Sequence, residues 1–350
     1  MILRDGGPGF SQFAVTNVCN ASCRFCNFSL NGINGREKRF VDVGESLSAL
    51  KNLYRNGIRY IVVTGGEPLL HPCLEEILSG ARVLGMTLVL VTNAALLSAH
   101  RLSRLIGCGV SSFLISIDAA DPELHESHRG LPGVCRKIEQ ANHIIRQTGL
   151  RSTASVTMSR LLNYDALPPF LEQLGFSSVS FSYPVTRLDS SYLSFSDSDL
   201  VTYSPLELIE AFERVERLKT RIHVVNPTES IQEMKRLLRG EKQRYACYAG
   251  YKYFYLDWNL DLWRCQNWSR PLCPADEFDG SQRVFDGCTR CMLDCYRDSS
   301  VMHHIGVSIH NAYQSLAHLK VKSAVTALMR RSNMGSIRAL MEDSDWVRHL

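Results

Sequence analysis

Residues 57–92 read GIRYIVVTGGEPLLHPCLEEILSGARVLGMTLVLVT, and this stretch decides the fold. A β-branched run at Tyr60–Thr64 leads into a turn and a helical stretch at Leu74–Leu84. Gly85 and a second β-branched run at Thr87–Thr92 follow. Such runs read as strands, and a glycine closing a helical stretch reads as its C-cap. The unit recurs on both sides. Further strands are expected at Gln12–Thr16, Ser112–Ile117, Ser152–Thr157 and Ser178–Ser182. Helices are expected at Gly44–Asn56, Ala99–Ile106, Val134–Thr148 and Asp165–Leu174, with Gly57, Gly149 and Gly175 closing three of them. Six strand–helix units in a row predict a parallel sheet with right-handed crossovers. Six are too few for a closed eight-stranded barrel, so the expected class is α/β, a partial TIM-like (β/α)6 barrel.

Ser204-Pro205-Leu206-Glu207 reads as a capping box with proline at the first helical position, opening a helix to about Lys219. The serine-rich stretch from Leu188 to Ser204 reads as a surface insertion. From Tyr245 the texture changes. Tyr251–Asp257 suggests a strand, Asp257-Trp258-Asn259 a turn, and Leu262–Cys265 the return, which marks a second, smaller domain.

The 350 residues are 45% apolar and 21% charged, ordinary for a globular chain and incompatible with global disorder. A net charge of +4 does not point to a nucleic-acid partner. The first residues lack the apolar stretch of a signal peptide, and no apolar run approaches a membrane span. A soluble, cytoplasmic chain is expected, in which the twelve cysteines are more readily metal ligands than disulfides. None of them falls between residues 136 and 246, so they divide into two regions.

Cys19, Cys23 and Cys26 form a CxxxCxxC triplet directly after the first strand. Three thiolates on one tight loop can hold three irons of a cubane cluster and leave the fourth without a protein ligand, open to a chelating small molecule. A structural zinc site would need a fourth ligand, and no histidine lies near the loop in the sequence. Asn20, Ser22, Arg24 and Asn27 interleave the cysteines, which argues against three ordinary core thiols. Thr64-Gly65-Gly66-Glu67-Pro68 follows the second strand; its glycines let the backbone approach a ligand, and Glu67 can accept hydrogen bonds from an amino group.

The triplet, Phe25 before its last cysteine, and the GGEP turn resemble the radical S-adenosylmethionine (SAM) superfamily, in the order that family shows. The resemblance covers about residues 10 to 225. It implies a [4Fe-4S] cluster on Cys19, Cys23 and Cys26, with SAM contacted by Gly65, Gly66, Glu67, Pro68, Phe25 and Asn93. It further implies that Ser116 and Arg129 meet the methionine carboxylate. The implied activity is reductive cleavage of SAM to a 5′-deoxyadenosyl radical, which takes hydrogen from a substrate. An external one-electron donor such as flavodoxin or ferredoxin would drive it. No residue is assigned as a catalytic base or radical relay. The alternative from another class is a non-enzymatic iron–sulfur or zinc protein for electron transfer or scaffolding, which leaves the GGEP turn and the open coordination position unexplained.

Six further cysteines lie within 49 residues: Cys247, Cys265, Cys273, Cys288, Cys291 and Cys295. The strand–turn–strand between Cys247 and Cys265 would bring those two together, and Cys288 and Cys291 could complete four thiolates. This resembles the SPASM or twitch extension of radical SAM proteins and implies an auxiliary [4Fe-4S] cluster, with Cys295 and Cys273 as further candidates. A structural zinc site is the alternative. The family has a glycine five residues before the second cysteine, where this chain has Leu260. The organisation expected is a radical SAM core over 1–225, an auxiliary-cluster domain over 226–300 and a basic helical tail over 301–350. Of the aromatic group Tyr251, Tyr253, Phe254, Tyr255, Trp258 and Trp263, alternation predicts that half is core.

Ser299 to Met341 contains no acidic residue and five cations, Lys320, Lys322, Arg330, Arg331 and Arg338. With Ile309, Tyr313, Leu316, Val321, Val325 and Leu328 at helical spacing, the tail reads as a basic amphipathic helix. Such a helix can lie on an anionic membrane, bind an acidic partner, or pack on the domain with its basic face in water. Membrane contact would favour a lipid or isoprenoid substrate over a natural-product intermediate or a peptide.

Overall fold

The computed structural model describes residues 2–29, 37–185, 188–193 and 198–342. Strand and helix alternate as the glycine punctuation predicts. After a short turn α1 (Ile2–Asp5) come β1 (Gly9–Ala14), α2 (Val43–Arg55), β2 (Ile58–Thr64), α3 (Leu74–Val83), β3 (Thr87–Thr92) and α4 (Ala99–Gly107). The series continues with β4 (Val110–Ile117), α5 (Pro122–Arg129), α6 (Val134–Gln147), β5 (Arg151–Thr157), α7 (Leu167–Gln173) and β6 (Ser178–Ser182). Then follow α8 (Pro205–Leu218), β7 (His223–Val224) and α9 (Thr228–Leu238). The capping box at Ser204 and Glu207 is formed, and α8 begins on Pro205.

β1 to β7 pair in order, all parallel. The barrel is open: β7 lies at one edge of a ten-stranded sheet and does not close onto the other. One face of each helix fills the outer core. On α2 these are Ser46, Ala49, Leu50 and Leu53; on α3 they are Leu74, Ile77, Leu78 and Ala81. These side chains join Phe13, Ile61, Leu88 and Phe113 from the strands in one core.

The second cysteine region is built onto the same sheet. β8 (Tyr253–Leu256) pairs parallel with β1, and β9 (Asp261–Trp263) and β10 (Cys273–Pro274) extend it antiparallel. Tyr253, Phe254 and Tyr255 are all fully buried, not half of them, because β8 is covered on both faces. Phe254 packs on Phe278, while the Tyr253 hydroxyl donates to the Ser299 carbonyl of the next helix at 2.9 Å. Three helices end the described chain: α10 (Asp294–Ala317), α11 (Val321–Leu328) and α12 (Arg331–Glu342). α10 crosses residue 300 without a break, and the tail is three helices rather than one. No helix among the described residues is long and apolar enough to cross a membrane.

Leu260 has φ of 62° in the β8–β9 turn. That left-handed conformation is the one glycine adopts without cost, which accounts physically for a glycine at this place in the resembled extension.

Candidate active site

The CxxxCxxC loop leaves β1 at its C-terminal end and is gripped from two sides. On one side the GGEP turn continues the β1–β2 pairing past the strands: Gly66 N–H donates to Thr16 O at 2.9 Å, and Glu67 N–H to Val18 O at 2.8 Å. A Cβ on Gly66 would stand 2.1 Å from Val18 O and 2.9 Å from Cys19 N. One on Gly65, whose φ is 131°, would stand 2.3 Å from Thr16 O. The glycines therefore admit the backbone that leads into Cys19, a nearer reason for them than the approach of a ligand.

On the other side stands α5. Ser22 N–H donates to Arg129 O at 2.8 Å, and Arg24 N–H donates to His128 Nε2 at 3.2 Å. His128 Nδ1 is 2.8 Å from Asp118 Oδ2, and Arg129 Nη2 donates to Asp118 Oδ1 at 2.6 Å. Phe25 lays its ring on His128, centroids 4.9 Å apart. Burial opposes ionisation of Asp118, but the Arg129 guanidinium and the His128 hydrogen bond hold its carboxyl well below the usual range.

This network brings a histidine to the cysteine loop, where the sequence placed none. The Cys23 thiol, the Asp118 carboxylate and the His128 ring lie within 4.8 Å of one another. His128 is nevertheless committed at both nitrogens, Nδ1 donating to Asp118 and Nε2 accepting from Arg24. The donor set for a metal therefore stays three thiols. Burial pushes Cys19 up to about 12 and raises Cys23 and Cys26 too. Three thiols in one turn, Cys19 and Cys23 buried and Cys26 half-buried, none in a disulfide, suit an iron–sulfur cluster, whose positive irons stabilise thiolates that burial alone disfavours.

Glu67 is a buried clasp. Its carboxylate accepts from Leu69 N at 3.1 Å, Thr92 Oγ1 at 2.7 Å and Asn93 N at 2.8 Å, tying the end of β2 to the end of β3. A carboxylate has about four acceptor directions, so one is left for an amine. Pro68 starts a buried 3-10 turn behind it. Asn93 donates from Nδ2 to Asn20 Oδ1 at 2.7 Å, joining β3 to the cysteine loop. Ser116 is half-buried on β4 two residues before Asp118. Nε of Arg129 is a buried donor with no protein acceptor, as the carboxylate-binding role would require.

The second cysteine region forms its own cavity of about 320 Å³. Cys247, Cys265, Cys288 and Cys291 all line it, with Asp189, Arg264, Trp268 and Arg290 among its other walls. Cys247 N–H donates to Cys288 O at 2.8 Å, so the segment after β10 is clipped to the start of the hairpin. Burial pushes Cys247 up to about 11, with Arg297 opposing, and Cys265 up to about 12. Arg264 makes a two-pronged pair with Asp286, one arm at 2.9 Å, and stacks over Trp268 at 4.5 Å. Cys273 stands apart on β10, 3.4 Å from Gln282 Oε1. Cys295 lies in the first turn of α10 behind the cavity and is not among its lining residues.

The two cysteine regions are joined by residues 188–193, which the sequence read as a surface insertion. Asn27 N–H donates to Leu193 O at 2.9 Å, and Ser190 N–H donates to Gln266 O at 3.2 Å. The Ser191 hydroxyl donates to Asp257 Oδ2 at 2.7 Å. Tyr192 is half-buried between them. Its ring sits edge-on to Phe28, just after the first cysteine loop, and to Tyr255 of β8, each at 5.2 Å between centroids, and burial raises its phenol. Residues 194–197, in the same insertion, lie outside the described residues.

Asp118, His125, His128 and Thr92 stand in the sequence at strand ends and in the stretch ending in Arg129-Gly130 without a role assigned to them, and Tyr192 carries no signal there. The first three were visible as a strand-end aspartate followed by an i, i+3 histidine pair ending in Arg129-Gly130. Arg129→Met is expected to cost about 3–5 kcal/mol of stability, because it leaves Asp118 charged and fully buried. Urea unfolding checks this. The loss should be largest at neutral pH and above and shrink as the pH falls and the unpaired, buried Asp118 of the folded variant takes up a proton, the unfolded aspartate being common to both proteins.

With this geometry in hand, comparisons place the chain. Residues 13–174 match the radical SAM superfamily. The AdoMet-dependent heme synthase of Oleidesulfovibrio alaskensis is 28% identical over 170 residues, which is 48% of this chain and 42% of that one. The GTP 3′,8-cyclase of Chlorobaculum tepidum is 28% identical over 164 residues, 47% of this chain and 49% of that one. The chain thus aligns with less than half the length of these relatives. Among solved structures, Streptococcus suis SuiB bound to S-adenosylmethionine superposes with a TM-score of 0.57 at 16% identity, over 74% of this chain and 60% of that one. Native anSMEcpe with bound AdoMet gives 0.57 at 13% identity, over 91% of this chain and 99% of that one. At those identities the likeness is one of fold. The likeness to the radical SAM superfamily thus covers residues 13–174, a little under half of the chain.

Proposed function

We propose that the chain holds a [4Fe-4S] cluster on Cys19, Cys23 and Cys26, binds SAM against it, and starts radical chemistry on an organic substrate at the open end of the barrel. The observation that carries this reading is the three-thiol loop whose neighbouring histidine is committed elsewhere, leaving a metal one position for a small molecule. When bound and reduced through a donor such as flavodoxin or ferredoxin, the cluster and SAM together supply a carbon radical able to take hydrogen from a C–H bond.

The chain's own residues hold and orient. Gly65 and Gly66 keep the cysteine loop against β2, and Glu67 offers its remaining acceptor direction to the SAM amine. Arg129, with Nε unsatisfied, and Ser116 receive the methionine carboxylate. Phe25, Pro68 and Asn93 complete the wall.

Cys247, Cys265, Cys288 and Cys291 are the proposed ligands of an auxiliary [4Fe-4S] cluster, supported by their shared cavity, with Cys295 adjoining it. This is the SPASM-like part of the chain, and its position suits anchoring substrate or accepting an electron after hydrogen abstraction. The substrate is a lipid or isoprenoid, a natural-product intermediate or a peptide. Equilibrium binding of SAM to anaerobically reconstituted protein tests the reading. Saturable binding that disappears in the Cys19→Ala variant is expected. A full iron load with no SAM binding would identify an electron carrier instead.

A further inference from the structure

The last two helices, α11 and α12, turn small side chains inward and large apolar ones outward. α11 packs on α10 through Ala312, Ala324 and Ala327, which form a small buried cluster of their own. On the same helix Val321, Val325 and Leu328 are about half exposed or more. In water the reverse arrangement would be the stable one, since valine and leucine gain most from burial.

The turns on either side of α11 repeat the pattern. Leu319, between α10 and α11, is 89% exposed and has φ of 57°, a conformation that suits glycine and strains leucine. The turn is nonetheless fixed: Lys320 N–H donates to Ser315 O at 2.8 Å. Met329, between α11 and α12, is 79% exposed, over a turn that Asn333 holds by donating to Ala327 O and Leu328 O. α12 adds Met334, Ile337 and Met341. Ten of the seventeen exposed large apolar residues among the described residues fall between 313 and 341, so exposed apolar side chains are concentrated in this segment rather than scattered over the chain.

Charge selects the occupant. Lys320, Lys322, Arg330, Arg331 and Arg338 are all exposed, in a stretch with no acidic residue from Ser299 to Met341. A second copy would set the same cations against themselves. A helical groove in a protein partner would take one apolar stripe, whereas here the apolar groups spread over three helices and two turns. We propose that this face docks on an anionic lipid bilayer, with Leu319 and Met329 entering the interface and the five cations lying at the headgroups. It is a binding surface separate from both cysteine sites and does not depend on the chemistry proposed for them.

The test is sedimentation of the reconstituted full chain with vesicles of phosphatidylcholine alone or containing about 30% phosphatidylglycerol. Binding to the anionic vesicles, and much weaker binding to the neutral ones, is expected. The triple variant K320Q/K322Q/R330Q should weaken binding about a hundredfold, at about fivefold per cation near the surface. Leu319→Gly separates docking from folding. Glycine relieves the backbone, so thermal stability should hold or rise while vesicle binding falls about tenfold. No sedimentation with anionic vesicles, equal binding to both kinds, or unchanged binding by Leu319→Gly would each overturn the proposal. So would a dimer that Leu319→Gly dissociates without any vesicle binding.

Discussion

Cys23→Ala is expected to remove 5′-deoxyadenosine formation to background and to lower iron from about eight to about four per chain. The reason for choosing Cys23 is that its loop is held by its neighbours. Ser22 and Arg24 donate to Arg129 O and His128 Nε2, and neither bond uses the thiol. The substitution therefore removes a metal ligand while the polypeptide stays in place, and the thermal midpoint of the cluster-free protein should hardly move. Iron analysis with mass spectrometry of the nucleoside checks both halves. Residual SAM cleavage in this variant would mean that the radical site lies elsewhere in the chain.

Cys265→Ala should have the complementary effect, lowering iron by about half while some SAM cleavage survives. Cys265 follows β9 and lines the cavity with Cys247, Cys288 and Cys291, so its loss opens a four-thiolate site. Cys273→Ala is the control. That thiol sits on β10 against Gln282 and outside the cavity lining, so the variant should keep the full iron content. An unchanged iron content in Cys265→Ala would contradict the auxiliary-cluster assignment, and a loss in Cys273→Ala would redraw its ligand set.

The barrel was legible because its signals are local. Gly57, Gly85, Gly149 and Gly175 mark helix ends at positive φ, and the strand runs between them match the observed strands to within a few residues. The cysteine spacing was legible for the same reason. What escaped depends on residues far apart in sequence. Asp118 and His128 act on the Cys19–Cys26 loop only because β4 and α5 return to its side, and no period or motif encodes that contact. The burial of all of Tyr253, Phe254 and Tyr255 follows from β8 joining β1 some 240 residues away, whereas alternation assumes one wet face. The serine-rich composition of 188–193 suggested solvent. Its hydroxyls and backbone instead pair with Asp257, Gln266 and Asn27, partners supplied by both cysteine regions. Glu67 was read as a ligand contact from its motif alone, and the structure adds a second duty, the tie between β2 and β3.

The most direct test of the account is one incubation of the anaerobically reconstituted full chain with SAM and dithionite, with 5′-deoxyadenosine measured by mass spectrometry and iron counted on the same sample. The account predicts 5′-deoxyadenosine together with about eight irons per chain. A full iron load that neither forms this product nor binds SAM would contradict it.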